Sequence, residues 1–138
     1  MNALCDAVKT FGPFAGRILL ALIFVISGYG KLVGFDGTVG YIASKGLPLP
    51  QLAAAAAIAI ELVGGVLLVI GWQTRWAATA IFLFMIPTTL IFHAFWAAAA
   101  NQQMETIQFM KNLSIMGGML YAMAFGAGPL SVDNRKRA

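Results

Sequence analysis

The sequence feature that most limits the fold is an apolar run, residues 52–72, whose one charged side chain is Glu61. In a helix that rises 1.5 Å per residue, Glu61 lies about 14 Å from Leu52. Because the hydrocarbon layer of a bilayer is about 30 Å thick, this places the acid near its middle. A carboxylate at that depth costs about 2.5–3.5 kcal/mol unless it has a partner, water or a proton. We therefore expect the other helices to be arranged around Glu61.

Most of the remaining sequence is also apolar. Hydrophobic residues make up 60% of the 138 residues and charged residues 10%, which excludes an ordinary soluble globular domain. We predict a single all-α membrane domain over residues 1–138, built as a four-transmembrane-helix bundle, with Pro87 as a kink in the third helix. Residues 18–26 continue into SGYGKL without a signal-peptide cleavage pattern, so we expect the first helix to be retained. The predicted helices cover about residues 14–33, 52–72, 76–96 and 106–125.

The connections and the basic residues predict an orientation. Residues 34–51 contain four glycines and two prolines and favour a structured interfacial segment, with a short helix near residues 38–45. If both termini share one side, that side carries six basic residues: Lys9, Arg17, Arg75, Arg135, Lys136 and Arg137. The opposite side carries three: Lys31, Lys45 and Lys111. The positive-inside rule then predicts cytoplasmic termini, with residues 34–51 on the outer face.

The cysteine and histidine content limits the cofactors. Cys5 is the one cysteine and His93 the one histidine, so neither an intramolecular disulfide nor a Cys/His metal cluster is available. We expect no metal, no haem and no iron–sulfur cluster. The expected surroundings are the lipid bilayer, and no nucleic-acid partner is expected.

Polar side chains from all four predicted helices fall in the outer half of the bundle. Lys31 is near the outer end of the first helix, and His93 is three residues inside the outer end of the third. Lys111 and Asn112 follow the outer start of the fourth helix, and Glu61 lies deeper. Aromatic side chains occur at similar depths: Phe24, Tyr29, Phe92, Phe95, Trp96 and Phe109. This pattern predicts a polar pocket that suits a flat, amphipathic ligand.

Each of these residues also has a purely structural interpretation. Lys31 and Lys111 can snorkel to the headgroups, His93 can be a structural hydrogen bonder, and Asn112 can join two helices. Glu61 can form a structural pair with a lysine or arginine. Five glycines allow either close helix contact or room for a ligand: Gly28, Gly64, Gly65, Gly117 and Gly118. The convergence of the whole set favours the pocket.

Four segments, in this order and spacing, resemble the DoxX family of small four-helix bacterial membrane proteins. They are RILLALIFVISGYGKL at 17–32, ELVGG at 61–65, HAFW at 93–96 and QFMKNLSIMGG at 108–118, and the resemblance extends over about residues 17–126. The family includes a subunit of a thiosulfate:quinone oxidoreductase and proteins associated with membrane redox complexes or with resistance to quinone-like compounds. The resemblance thus implies quinone-linked redox chemistry at the bacterial inner membrane. It maps the family's recurrent polar positions onto Arg17, Lys31, Glu61, His93, Lys111 and Asn112.

Three functional hypotheses follow. In the leading one the outer pocket binds a quinone, and Glu61 and His93 exchange a proton with it as catalytic residues. Because no redox cofactor is encoded, electrons would come from a redox partner protein or from the ligand, and whether the chain is itself an enzyme stays open. The alternatives are a scaffold subunit of a membrane redox complex and a proton-coupled solute carrier, which would require a homo-oligomer. The predicted ligand-binding residues are Arg17, Lys31, Lys111, Asn112, Phe24, Trp96 and Phe109.

Overall fold

The computed structural model describes residues 2–135, and every regular element in that range is helical. Six α-helices are present, with a 3₁₀ turn at Phe95–Ala97 between the fourth and fifth: α1 Asn2–Val33, α2 Phe35–Ser44, α3 Pro50–Ile70, α4 Thr74–Phe92, α5 Gln102–Phe125 and α6 Val132–Arg135. Three stretches are long and apolar enough to cross a membrane: Asn2–Val33, Pro50–Ile70 and Thr74–Ala97. The predicted all-helical membrane fold is therefore confirmed at the level of three candidate spans.

The helix boundaries differ from the predicted ones in several places. α1 begins at Asn2, not near residue 14, because neither the polar residues before Pro13 nor Pro13 itself ends the helix. α5 begins at Gln102, four residues before the predicted start. The short helix predicted between the first two spans is present as α2. Lys136 and Arg137, which the orientation argument assigns to the cytoplasmic side, lie outside the described residues.

α3 and α4 are joined by a tight turn that explains why α3 ends before Trp72. Gly71 adopts the left-handed conformation with φ of 68°, and its N–H and that of Trp72 donate to Leu68 and Leu67. This is the usual way in which a glycine closes a helix. The first N–H groups of α4 have no acceptors within their own helix. The carboxylate of Asp133 in α6 provides acceptors for this end of α4. It accepts from the N–H of Gln73 at 2.8 Å and from that of Thr74 at 2.9 Å.

α4 ends at Phe92 and not at residue 96, which changes the setting of His93. α4 continues through Pro87, and His93 follows as its C-terminal cap with its N–H on the Thr89 carbonyl. The chain then turns through Phe95–Ala97 before α5 begins. His93 therefore lies at the start of the connection between α4 and α5, and its ring faces α5.

Close helix contacts at glycines set the packing. α3 lies between α1 and α4, and α4 packs on α5. A methyl group placed at Gly28 would lie 3.1 Å from the Leu62 backbone nitrogen, and one at Gly64 would lie 3.0 Å from Ile81. Gly65 and Gly118 are similarly close to Val25 and Leu20 of α1, whereas nothing lies within 4 Å of a methyl group at Gly117. Four of the five predicted glycines thus serve helix contact.

The two ends of the bundle differ in what covers them. One end, the α2 end, is where α1 and α4 finish and α3 and α5 begin, with α2 packed against α3. The other, the α6 end, holds the turn after α3 and the segment that carries α6. The apolar core lies between the ends and has Leu68, Ile81 and Met119 among its fully buried side chains. Buried polar side chains lie at both ends, with Arg17 near the α6 end and Glu61 and Asn112 toward the α2 end.

Candidate functional site

A polar cavity of about 170 Å³ lies at the α2 end, above the contact of Leu20 with Gly118. Side chains from α1, α3, α4 and α5 line it. Six of the nine predicted site residues are among them: Phe24, Lys31, Glu61, His93, Lys111 and Asn112. The structure therefore brings together most of the residues that depth alone had selected, while their roles in binding and proton exchange stay predictions.

Glu61 and Lys31 form an ion pair at the wall of this cavity. The Lys31 ammonium donates to both carboxylate oxygens, at 2.8 and 2.9 Å, and Glu61 is buried. Ser27, one turn before Lys31 on α1, donates to the same carboxylate at 3.3 Å. The absence of a side chain at Gly28 lets α3 approach α1 closely enough for this contact. Glu61 thus has a lysine of a neighbouring helix as its partner, which is the structural pairing that the sequence analysis left open.

His93 pairs with an acid that the sequence analysis did not select. Its Nδ1 lies 2.8 Å from Oε2 of Glu105, in the first turn of α5. Sequence reasoning assigned Glu105 to a loop and so gave it no role. The usable signal was that Glu105 and His93 lie on either side of the short α4–α5 connection, which returns the chain to the same end of the bundle.

Asn112 and Lys111 occupy the α5 side of the cavity. The buried Asn112 amide donates to the Thr89 hydroxyl of α4 at 3.0 Å, so Asn112 joins two helices while it also lines the cavity. The exposed Lys111 donates to the side chain of Gln108, one turn earlier on α5. Lys111 is thus the cation of this cavity without a carboxylate partner among residues 2–135.

Three predicted ligand-binding residues lie outside the cavity. Arg17 is buried near the α6 end, where its guanidinium donates to three carbonyls: Leu68 at 2.8 Å, Val69 at 3.2 Å and Leu130 at 2.6 Å. Trp96 and Phe109 pack edge-on against each other and against Phe95, with ring centroids 5.2–5.9 Å apart. The prediction grouped these residues with the pocket by family position or by depth. Arg17 is too far along α1, and the two rings are used in closing the α4–α5 connection.

An apolar cavity of about 350 Å³ adjoins the polar one. Its walls come from α2, α3, α4, the turn after α2 and the end of α1, with Tyr41, Ile42 and Phe92 among the lining residues. Four residues line both cavities: Lys31, Phe84, Thr88 and His93. The two cavities therefore form one site with a polar and an apolar compartment. Together they have the size and character that small amphipathic ligands require.

Two other observations bear on the site. Among residues 2–135, no three side chains of His, Cys, Asp or Glu come close enough together to hold a metal ion. A larger cavity of about 460 Å³ lies at the α6 end and contains none of the predicted site residues. The α2-end site contains hydrogen-bond donors, the Lys31–Glu61 ion pair and the imidazole of His93.

Apolar helices long enough to cross a membrane define a multi-pass membrane protein, and the pairing of Lys31 with the buried Glu61 gives it a polar site between its helices. The chain belongs to the DoxX family, whose model matches residues 12–94. It is 40% identical over 120 residues to the inner membrane protein YphA of Escherichia coli, covering 86% of each chain. With YqjF, another inner membrane protein of the same organism, it is 35% identical over 91% of this chain and 92% of the relative.

A more distant relative is the ER-derived vesicles protein ERV29 of Saccharomyces cerevisiae. It is 25% identical over 138 residues, which is 99% of this chain but 37% of the yeast protein. No solved structure matches the chain. The family and the two bacterial relatives establish the chain as a multi-pass inner-membrane protein.

Proposed function

We propose that this protein binds a quinone or a similar small amphipathic molecule at the α2 end and exchanges a proton with it. The observation that carries the proposal is the shared wall of the two cavities, with Lys31 and His93 at the junction. A quinone ring with its oxygens would occupy the polar compartment, and its apolar substituent would occupy the compartment beneath α2. This division of polar and apolar walls matches a ligand with the same division.

The hydrogen bonds already present decide which side chains are available to the ligand. Lys31 directs its donors to Glu61 and Ser27, so a ligand oxygen reaches it by replacing Ser27. Lys111 donates only to a neutral amide and is the freer cation. An ammonium offers three donors and no acceptor, which suits carbonyl or phenolate oxygens. We therefore assign recognition of the ligand oxygens mainly to Lys111, with Lys31 as the second donor.

The proton-carrying side chains at this site are Glu61 and His93. Neither of them carries electrons, so a redox role requires a partner protein that supplies or removes them. Whether the chain is a subunit of a quinone-dependent oxidoreductase therefore depends on that partner. Proton exchange is the part of the chemistry for which this chain's own residues are suited.

Ligand binding is tested with the protein purified into lipid nanodiscs and a short-chain ubiquinone as the probe. We expect Lys111→Met and Glu61→Gln each to weaken binding by about 10- to 100-fold, since a charged hydrogen bond contributes about 1.5–3 kcal/mol. Lys9→Met is the matched control, because Lys9 is exposed near the start of α1. The same dissociation constant in wild type, Lys111→Met and Glu61→Gln would refute the pocket and would favour the scaffold hypothesis.

The proposed arrangement in the membrane has α5 as the fourth span and both termini in the cytoplasm. α5 has 24 residues and is about 36 Å long, enough to cross the hydrocarbon layer. It is less apolar than α1, α3 and α4 because it carries Lys111 and Asn112 toward the cavity. α1 is about 48 Å long, so its first turns would extend beyond the hydrocarbon layer, and the basic-residue count predicts that they are cytoplasmic.

The native Cys5 provides a direct test of this topology. It is exposed in α1 and is the single cysteine of the chain, so a membrane-impermeant maleimide reports on it alone. We expect Cys5 in spheroplasts to be labelled only after permeabilisation. The control is Ser44→Cys in a Cys5→Ser background, which places the thiol on α2 and should be labelled without permeabilisation. Labelling of Cys5 in intact spheroplasts would reverse the proposed orientation.

A further inference from the structure

The hydrogen bond between His93 and Glu105 joins the end of α4 to α5, and it also occupies one nitrogen of a ring that lines the site. Nδ1 of His93 lies 2.8 Å from the Glu105 carboxylate, and within residues 2–135 this is the one hydrogen bond of the ring. The same ring lines both the polar and the apolar cavity. Since Nδ1 is engaged by Glu105, Nε2 on the other side of the ring is the nitrogen left for a ligand.

We propose that Glu105 is a positioning residue that fixes His93 in the Nδ1–H tautomer, so that Nε2 is a proton acceptor toward a hydroxylated aromatic ligand. A neutral imidazole has one donor and one acceptor nitrogen, whereas a carboxylate only accepts. The nitrogen that faces Glu105 therefore carries the hydrogen, and the lone pair is on Nε2. The tautomer of His93 does not depend on the proposed function, whereas the identity of the ligand rests on the proposed function.

The surrounding structure keeps the side chains of His93 and Glu105 close to each other. His93 caps α4, and its carbonyl accepts the Phe95 N–H at 2.9 Å, which starts the 3₁₀ turn. Phe95 then packs on Phe109 of α5, one turn after Glu105, at a centroid distance of 5.3 Å. The aromatic cluster thus fixes the α4–α5 connection against α5. It keeps the Glu105 carboxylate within reach of the imidazole.

The proton transfer that this arrangement supports involves no change of oxidation state. A phenol or quinol hydroxyl in the polar cavity would give its proton to Nε2, so that the O–H bond breaks and a second N–H bond forms. The product is an imidazolium beside the Glu105 carboxylate, with the ligand oxygen as an anion near Lys111. The carboxylate stabilises the imidazolium, which is the role of an acid behind a histidine base in many enzymes.

The other charged groups at this cavity do not alter this assignment. Lys31 of α1 and Glu61 of α3 neutralise each other in their ion pair. Lys111 of α5 opposes a positive charge on His93 but favours the ligand oxyanion. Glu105 is the acid in direct contact with the ring, so it determines both the tautomer and the stability of the protonated form.

The experiment uses the fact that the chain has one histidine, so selective ¹⁵N-histidine labelling gives the NMR signals of one imidazole. The ligand-free protein in nanodiscs is measured at alkaline pH. We expect Nδ1 of the wild type to give the protonated, pyrrole-type resonance and Nε2 the unprotonated one. Glu105→Leu removes the acceptor and should produce a mixture of tautomers, whereas Glu105→Asp keeps a carboxylate that only accepts and should favour Nδ1–H.

The controls separate this inference from structural damage and from the proposed function. Asp36→Leu removes an exposed acid at the same end of the bundle and should leave the imidazole signals unchanged. A protonated Nε2 in the wild type, or the wild-type tautomer in Glu105→Leu, would overturn the inference. Because the tautomer is measured without ligand, failure of ubiquinone binding would refute the pocket and leave this result intact.

Discussion

Replacement of Lys31 by methionine is expected to lower the free energy of unfolding by about 3–5 kcal/mol. The change removes the cation that holds the Glu61 carboxylate and leaves an acid in a buried, low-dielectric position. Ser27 remains as a single weak donor to that carboxylate and cannot replace an ammonium. The measurement is reversible unfolding in mixed detergent micelles, followed by the helical circular dichroism signal.

Replacement of Glu61 by leucine is expected to lower the free energy of unfolding by a smaller amount. Glu61→Leu leaves Lys31 without its acid, but the Lys31 side chain is 31% exposed whereas that of Glu61 is 7% exposed. A lysine near the end of a span can extend its ammonium toward the headgroups, and a buried glutamate has no such route. The double variant Lys31→Met/Glu61→Leu should therefore recover most of the loss caused by Lys31→Met.

Lys111→Met is the matched control for this cycle, because Lys111 lines the same cavity without a carboxylate partner among the described residues. It should change the stability little. If the two single substitutions simply add in the double variant, with a coupling below about 0.5 kcal/mol, the ion pair does not stabilise the fold. That outcome would also remove the reason for regarding Glu61 as the organising residue of the bundle.

The parts of the site that the sequence could predict are those set by depth. The position of Glu61 within an apolar run of known rise locates it in the membrane, and the same arithmetic places Lys31, Lys111 and Asn112 nearby. Their convergence needs only that the helices alternate in direction. That is why six predicted residues line one cavity in the structure.

The parts that the sequence could not predict depend on where helices end. His93 was assigned to the interior of a helix, whereas α4 ends at Phe92 and frees the imidazole to meet Glu105. Hydropathy does not mark that end, because Phe95 and Trp96 continue the apolar run after the helix has stopped. The early start of α1 was missed for the opposite reason, since polar residues and Pro13 there resemble a boundary but do not interrupt the helix.

Arg17 is the clearest case in which family position and location in the fold differ. The resemblance groups it with Lys31, about four turns further along α1, whereas the structure places it near the opposite end. Gly71 makes room for its guanidinium at the turn after α3. The bonds to Leu68, Val69 and Leu130 tie α1 to the end of α3 and to the segment before α6. The hydrogen bonds of Arg17 give a sufficient structural explanation for a cation at this position.

Substitution of Arg17 by leucine is expected to destabilise the protein by more than about 3 kcal/mol. Arg17 is only 4% exposed, and its loss removes the charged donor from three carbonyls, of which that of Leu68 keeps the Gly71 N–H. Each charged hydrogen bond contributes about 1.5–3 kcal/mol. Arg17→Lys should recover only part of this, because an ammonium is a point charge and cannot reproduce the planar fork of a guanidinium. Unfolding in mixed micelles measures both variants.

The same Arg17→Lys protein decides whether Arg17 also binds ligand. The α2-end cavities do not include Arg17, so the folded fraction of the variant should bind the short-chain ubiquinone with the wild-type dissociation constant. Lys111→Met should show the opposite behaviour, with wild-type stability and weakened binding. A fully folded Arg17→Lys protein with lost affinity would return Arg17 to the ligand-binding set. Such a result would require the ligand to extend to the α6 end of the bundle, where the cavity of about 460 Å³ lies.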